Sequence, residues 1–146
     1  MVRIEVSTVI KRPVTEVFEF IVNNENDVLW QAGVLESSDL STGTPEVGAT
    51  YTQVAKVLGR RVETTNEVTA YEPDRVYNFK SISGPIPTEG GVTCEAAAEG
   101  ETHVTLFGQA EVGGFFKLAE PLVARMLQRE WDTNMANLKD LLEKPA

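Results

Sequence analysis

The sequence predicts an α+β fold in which a curved antiparallel seven-stranded sheet wraps around one long C-terminal helix, with two short helices after the first strand. Three observations predict it. Residues 34–113 carry short runs of alternating apolar and polar side chains, parted by turn clusters about 8–12 residues apart, as in antiparallel sheets. Residues 115–143 repeat apolar side chains on a helical period. Before both, a strand pattern from Val2 gives way to short helical patterns ending near Trp30.

The elements follow in order. Val2, Ile4 and Val6 alternate with Arg3, Glu5 and Ser7, the period of a half-buried strand. Pro13 suits the first turn of a helix, and Val14, Val17, Phe18 and Ile21 then give an amphipathic helical face. Asn23 to Asn26 is turn chemistry; Val28 to Trp30 is a second short helix or turn, closed by Gly33. A weak strand over Val34–Leu40 ends in the Ser41–Pro45 cluster. A stronger one runs from Thr50 to Leu58, and a tight turn at Leu58-Gly59-Arg60 leads into the strand Arg61–Ala70. Glu72-Pro73-Asp74 has proline at its favoured turn position before the strand Val76–Ser83. Gly84-Pro85-Ile86-Pro87 is a stiffer connection, since proline fixes φ and donates no hydrogen bond. Val92–Ala98 and Thr102–Val112 form the last hairpin around Glu99-Gly100, and Gly113-Gly114 ends the sheet. Leu118, Leu122, Met126, Trp131, Met135, Leu138 and Leu142 then mark a helix roughly 40 Å long, with Pro121 as its true start or a kink.

Composition bounds the function. The chain has 146 residues, the size of one domain, and that reading covers residues 1–146. Thirteen Lys and Arg against 22 Asp and Glu leave a formal charge of −9, which argues against a nucleic-acid or anionic-membrane surface. One Cys and one His rule out an intrachain disulfide and the common zinc sites, so no metal and no cofactor are expected. No stretch is apolar enough to insert in a membrane, and the N-terminus alternates where a signal peptide would not. With its single thiol, the chain reads as cytoplasmic.

Several candidate chemistries fail on spacing. Cys94 and His103 lie on adjacent strands of one hairpin. A two-residue turn leaves them a diagonal step apart, about 7–8 Å, and a three-residue loop puts them on opposite faces. Neither register makes a nucleophile–base pair. Gly43 to Thr50 imitates a phosphate loop, but Ala49 stands where lysine is needed and a strand follows instead of a helix. No Gly-x-Ser-x-Gly elbow exists. Glu5, Glu36, Glu63, Glu67 and Glu111 fall on solvent-facing parity. Glu130 is the one catalytic candidate: on the long helix near the sheet-facing stripe, burial would raise its pKa and suit it to acid–base work. The alternative is an edge residue in solvent or paired with Arg61.

An inward polar set carries more information. Gln53, Thr64, Asn66, Ser81 and Ser83 alternate in phase with Tyr51, Val62, Val68 and Phe79. Buried polar groups cost free energy unless hydrogen-bonded, so such a face suits a ligand with an apolar body and a few oxygens. A one-residue slip would turn the same residues to water. Trp30, Phe115 and Phe116 are candidates for the cavity rim or for plain core. Leu122 and Met126 face the sheet if the helical stripe is continuous. The ligand-binding set is therefore Trp30, Tyr51, Gln53, Thr64, Asn66, Phe79, Ser81, Leu122 and Met126.

The chain also resembles the START-like superfamily of polyketide cyclases, lipid-transfer domains and the birch-pollen allergen, known as SRPBCC. The resemblance spans essentially the whole chain. It rests on Ile10-Lys11-Arg12-Pro13-Val14-Thr15-Glu16-Val17-Phe18 followed by Trp30, on Gly48-x-x-Tyr51, on Glu67-Val68 leading to Tyr71-Glu72-Pro73-Asp74-Arg75, and on Leu138-Lys139-x-Leu141-Leu142. It implies a helix-grip fold with an internal cavity for an apolar small molecule. Members bind, transport, sense, cyclise or dehydrate, so the fold alone does not choose.

Two functions stand side by side. The first is binding, for transport or sensing, of a hydrophobic small molecule such as a lipid, an isoprenoid or a polyketide. The second is a cofactor-free polyketide cyclase or dehydratase using acid–base chemistry in the same cavity. Whether the chain is an enzyme stays open, and Glu130 as sole titratable candidate tilts the balance toward binding. A pure interaction protein ranks third, and a homodimer is left open.

Overall fold

A computed structural model describes residues 2–57, 59–111 and 120–144. Seven strands form one antiparallel sheet: β1 (Val2–Ile10), β2 (Val34–Ser37), β3 (Thr50–Val57), β4 (Arg60–Glu72), β5 (Val76–Ser83), β6 (Thr88–Ala96) and β7 (Thr102–Ala110). Their spatial order is β1-β7-β6-β5-β4-β3-β2, so every neighbouring pair but β1–β7 is consecutive in sequence. Helix α1 (Val14–Val22), a 3₁₀ turn (Asn24–Asn26) and α2 (Asp27–Trp30) carry the chain from β1 at one edge to β2 at the other. Helix α3 (Glu120–Glu143) lies against β1 and α2 in the hollow of the curled sheet.

The alternating patterns set these faces. Val2, Ile4 and Val6 of β1 are buried beside Val104 and Leu106 of β7, while Arg3 and Glu5 face water. Helix α1 buries Val17, Phe18, Ile21 and Val22. Its chain enters through Pro13, which is extended (φ −60°, ψ 148°) and caps the helix from outside. Met135 and Leu138 of α3 join this cluster, so the C-terminal half of α3 rests on solid core.

Several boundaries differ from the sequence expectation. Strand β6 starts at Thr88, four residues before Val92, and stops at Ala96. Gly90 and Gly91 read as loop because glycine weakens an isolated strand, but pairing with both β5 and β7 holds them in the sheet. Strand β4 extends to Glu72, with a register shift between Val68 and Ala70 that turns Tyr71 toward Phe18 and Tyr77. Strand β2 covers only Val34–Ser37. Pro121 is the second residue of the α3 span. Leu58, Val112, Gly113, Gly114, Phe115, Phe116 and Leu118 lie outside the described residues.

The stripe of α3 is corrected. Leu122 is 60% exposed and Met126 49%, whereas Val123 is 7%. The expected series contains a five-residue step from Met126 to Trp131, which a 3.6-residue turn does not accommodate. Counting back from Leu138 and Trp131 gives Leu127 and Val123 as the buried face. Leu122 is rotated to the outside.

A candidate ligand cavity

Beneath the N-terminal half of α3 the core is hollow. The cavity measures about 390 Å³ and lies between Val123, Leu127 and Trp131 of α3 and the concave face of the sheet. That is within the usual range for small-molecule sites, roughly 300–1,000 Å³. Glycine makes part of this space. Gly108 of β7 lies under the Trp131 ring, and a Cβ there would overlap the indole. Gly33 likewise leaves room for the Glu130 carboxylate.

Strands β3 and β4 present the polar lining. Tyr51 pairs with Asn66, Gln53 with Thr64 and Ala55 with Val62, each pair directly across the ladder and on one face. All six line the cavity, as do Trp30, Phe79 and Met126, the last from its half-exposed position. Ser81 and Leu122 do not. The Ser81 hydroxyl accepts from the Thr88 backbone N–H at 2.9 Å and ties the β5–β6 connection instead. Ser83 is also reversed: β5 inserts Ile82 between the residues opposite Asn66 and Thr65, so Ser83 joins the outward Thr65.

The group that sequence reasoning missed is Asp27. It follows what reads as turn chemistry, yet it is only 4% exposed and lines the cavity. Gln53 Nε2 and Ser37 Oγ both donate to its Oδ2, each at 3.2 Å. Burial pushes its carboxyl up to about 7, against the downward pull of those two hydrogen bonds. Tyr51 and Tyr77 stand close enough that the Asp27 charge helps raise their hydroxyls, which burial already drives upward, Tyr77 to about 12. The aspartate, Gln53, both tyrosines and Asn66 thus form one polar neighbourhood in the lining of an apolar space.

Three polar atoms there are buried without a hydrogen-bond partner among the described residues: Asn24 Nδ2, Trp30 Nε1 and Asn66 Oδ1. The Tyr77 hydroxyl donates to the other side-chain atom of Asn24, at 3.4 Å. Trp30 is fixed through its backbone, whose carbonyl accepts from Asn137 Nδ2 at 3.3 Å, while Asn134 Oδ1 accepts from the Ala32 N–H at 2.9 Å. Two asparagines of α3 therefore clamp the segment that carries the indole into the cavity. A polar residue breaking the apolar stripe, as Asn134 does, was the available sign.

Glu130 lines the cavity as well, and partial burial raises its pKa. It does not meet Arg61, which pairs with Glu36 at 3.1 Å on the exposed face. Cys94 is 1% exposed, with its thiol pushed up to about 12 by burial and by Asp74. It stands opposite Val104, whereas His103 stands opposite Glu95, so thiol and imidazole lie on opposite faces. Among the described residues, no three His, Cys, Asp or Glu side chains converge as metal ligands would, and no helix is long and apolar enough to cross a membrane.

A seven-stranded sheet curled around a C-terminal helix, with short helices after the first strand and a cavity between them, is a helix-grip fold. The chain belongs to the polyketide cyclase / dehydrase and lipid transport family, whose profile matches residues 1–143. A protein of Thermus thermophilus has a similar crystal structure, with a TM-score of 0.81 at 19% identity over 96% of each chain. A START superfamily protein from Mycobacterium smegmatis gives 0.77 at 11% identity over 97% of each. The Zhui aromatase/cyclase from a Streptomyces species gives 0.75 at 15%, over 97% of this chain and 93% of that one. At such identities the likeness shows the fold. No curated protein matches the sequence significantly.

Proposed function

We propose that this chain binds a hydrophobic small molecule carrying oxygen functions, of the lipid, isoprenoid or polyketide kind, in the cavity beneath α3. One observation carries the reading. An apolar cavity of about 390 Å³ is lined by Asn24, Trp30 and Asn66, and each of these holds a buried side-chain atom that lacks a partner among the described residues. Such atoms cost free energy until something satisfies them, and a ligand oxygen or a water does so. Thr64 and Gln53 offer further contacts on the same wall. The test is titration with the uncharged fluorescent probe N-phenyl-1-naphthylamine, with Asn66→Leu as the variant. Saturable binding is expected in the parent chain. No saturable binding by a folded protein would make the cavity reading wrong.

A second reading is cofactor-free acid–base catalysis on such a ligand, and Asp27 is what favours it. A carboxyl titrating near neutrality holds or gives up a proton at little cost, which general acid–base catalysis requires. Asp27 is better enclosed for this than Glu130, which is only half-buried. Conversion of a bound hydroxyketone that disappears in Asp27→Asn while binding persists would establish it.

A further inference from the structure

The polar part of the cavity lining has a definite pattern of donors, acceptors and charge. Trp30 Nε1 can only donate, and Asn24 Nδ2 is a second unpartnered donor. Both call for an acceptor oxygen. Asn66 Oδ1 is an acceptor and calls for a ligand hydroxyl. Two donors alone would also suit a carboxylate. The neighbouring charges do not: Asp27 is buried in this same group, and Glu89 and Glu130 line the cavity too. Among the described lining residues Lys56 is the one cation, and it is exposed.

Resting on the binding reading above, we propose that the polar part of the cavity lining recognises an uncharged hydroxy-carbonyl function, and that the Asp27 carboxylate excludes carboxylate-headed amphiphiles from it. A carbonyl satisfies Trp30 and Asn24, and a hydroxyl satisfies Asn66, with no charge brought against Asp27. A ligand carboxylate at the same place puts like charges together in a space lined mostly by apolar groups. Like-charge contacts of this kind are a common means of rejecting a wrong partner.

Protonation of Asp27 should relax the exclusion. The groups around it that titrate or carry charge are few. Tyr51 on β3 and Tyr77 on β5 stay neutral across the working range because burial raises both. Glu25 on the 3₁₀ turn and Glu36 on β2 are exposed, and Glu36 is paired with Arg61. Lys56 on β3 is exposed. Glu89 on β6 is exposed and accepts from Gln109, whereas Glu130 on α3 is raised by burial and is the group to control for.

The experiment is displacement of N-phenyl-1-naphthylamine by three compounds of one ring size: a hydroxynaphthyl methyl ketone, 2-methylnaphthalene and 2-naphthoate. At about pH 8 the ketone should compete at least about tenfold more tightly than either other compound. In Asp27→Asn, naphthoate should gain about tenfold while the ketone stays within about threefold. In the unsubstituted chain, naphthoate should gain about tenfold between roughly pH 8.5 and pH 6, and the ketone should not. That pH series decides the matter if Asp27→Asn fails to fold, and it should persist in Glu130→Gln. Naphthoate matching the ketone, no gain on neutralising Asp27, or a pH effect that vanishes in Glu130→Gln would each overturn the exclusion while leaving cavity binding intact. Failure of the probe itself to bind would overturn both.

Discussion

Asp27 should make the folded protein lose stability as pH rises from about 4 to about 7. Its carboxyl titrates near 4 in an unfolded chain and at about 7 in the folded one. Below about pH 4 both states hold the proton; from there to about 7 only the folded state does; above that neither does. Each pH step in this window therefore costs about 1.4 kcal/mol, on the order of 4 kcal/mol in all. Asp27→Asn keeps the shape and removes the charge, but weakens the hydrogen bonds from Gln53 and Ser37 by about 1 kcal/mol. The net expectation is a variant more stable than the parent by about 2–3 kcal/mol at pH 8 and nearly equal to it at about pH 5. Urea denaturation of both proteins at the two pH values measures this, because the contributions of Glu130 and Glu143 are common to both and cancel in the comparison. Parallel pH profiles for parent and variant would refute the reasoning, since Asp27 would then titrate alike folded and unfolded.

Three further expectations can be checked directly. Gly108→Ala should lower stability by about 1–3 kcal/mol, read by thermal melting with Trp131 fluorescence, because the added methyl group meets the indole. Cys94 should resist a disulfide exchange reagent in the native protein and react at once in urea, its thiol being buried and protonated at ordinary pH. Met126→Trp should change stability by less than about 0.5 kcal/mol, since Met126 is half exposed, yet weaken N-phenyl-1-naphthylamine binding by bulk at the cavity wall. Unfolding of that variant would mean Met126 is packed as core.

Local periodicity set the faces of β1, β3 and β4. Alternation through β3 and β4 puts Tyr51, Gln53, Thr64 and Asn66 on one surface, because a strand's period of two leaves only the choice of face. Turn residues marked most ends for equally local reasons, with φ fixed at Pro73 and freed at Gly59, where φ is +82°. The errors lie where geometry is not local. A single extra residue, Ile82, reverses Ser83, and a bulge is set by how two strands meet rather than by either strand's pattern. The phase of α3 needed the position of Trp131 over Gly108, a contact between two separate elements, β7 and α3. Asp27 was illegible for the deepest reason. Its neighbours Asn23 to Asn26 are ordinary turn residues, and only the folding of α2 against β2 and β3 takes the carboxyl out of water and places Gln53 and Ser37 on it. Polarity is written in a side chain, but its desolvation is the work of the other elements that close around it.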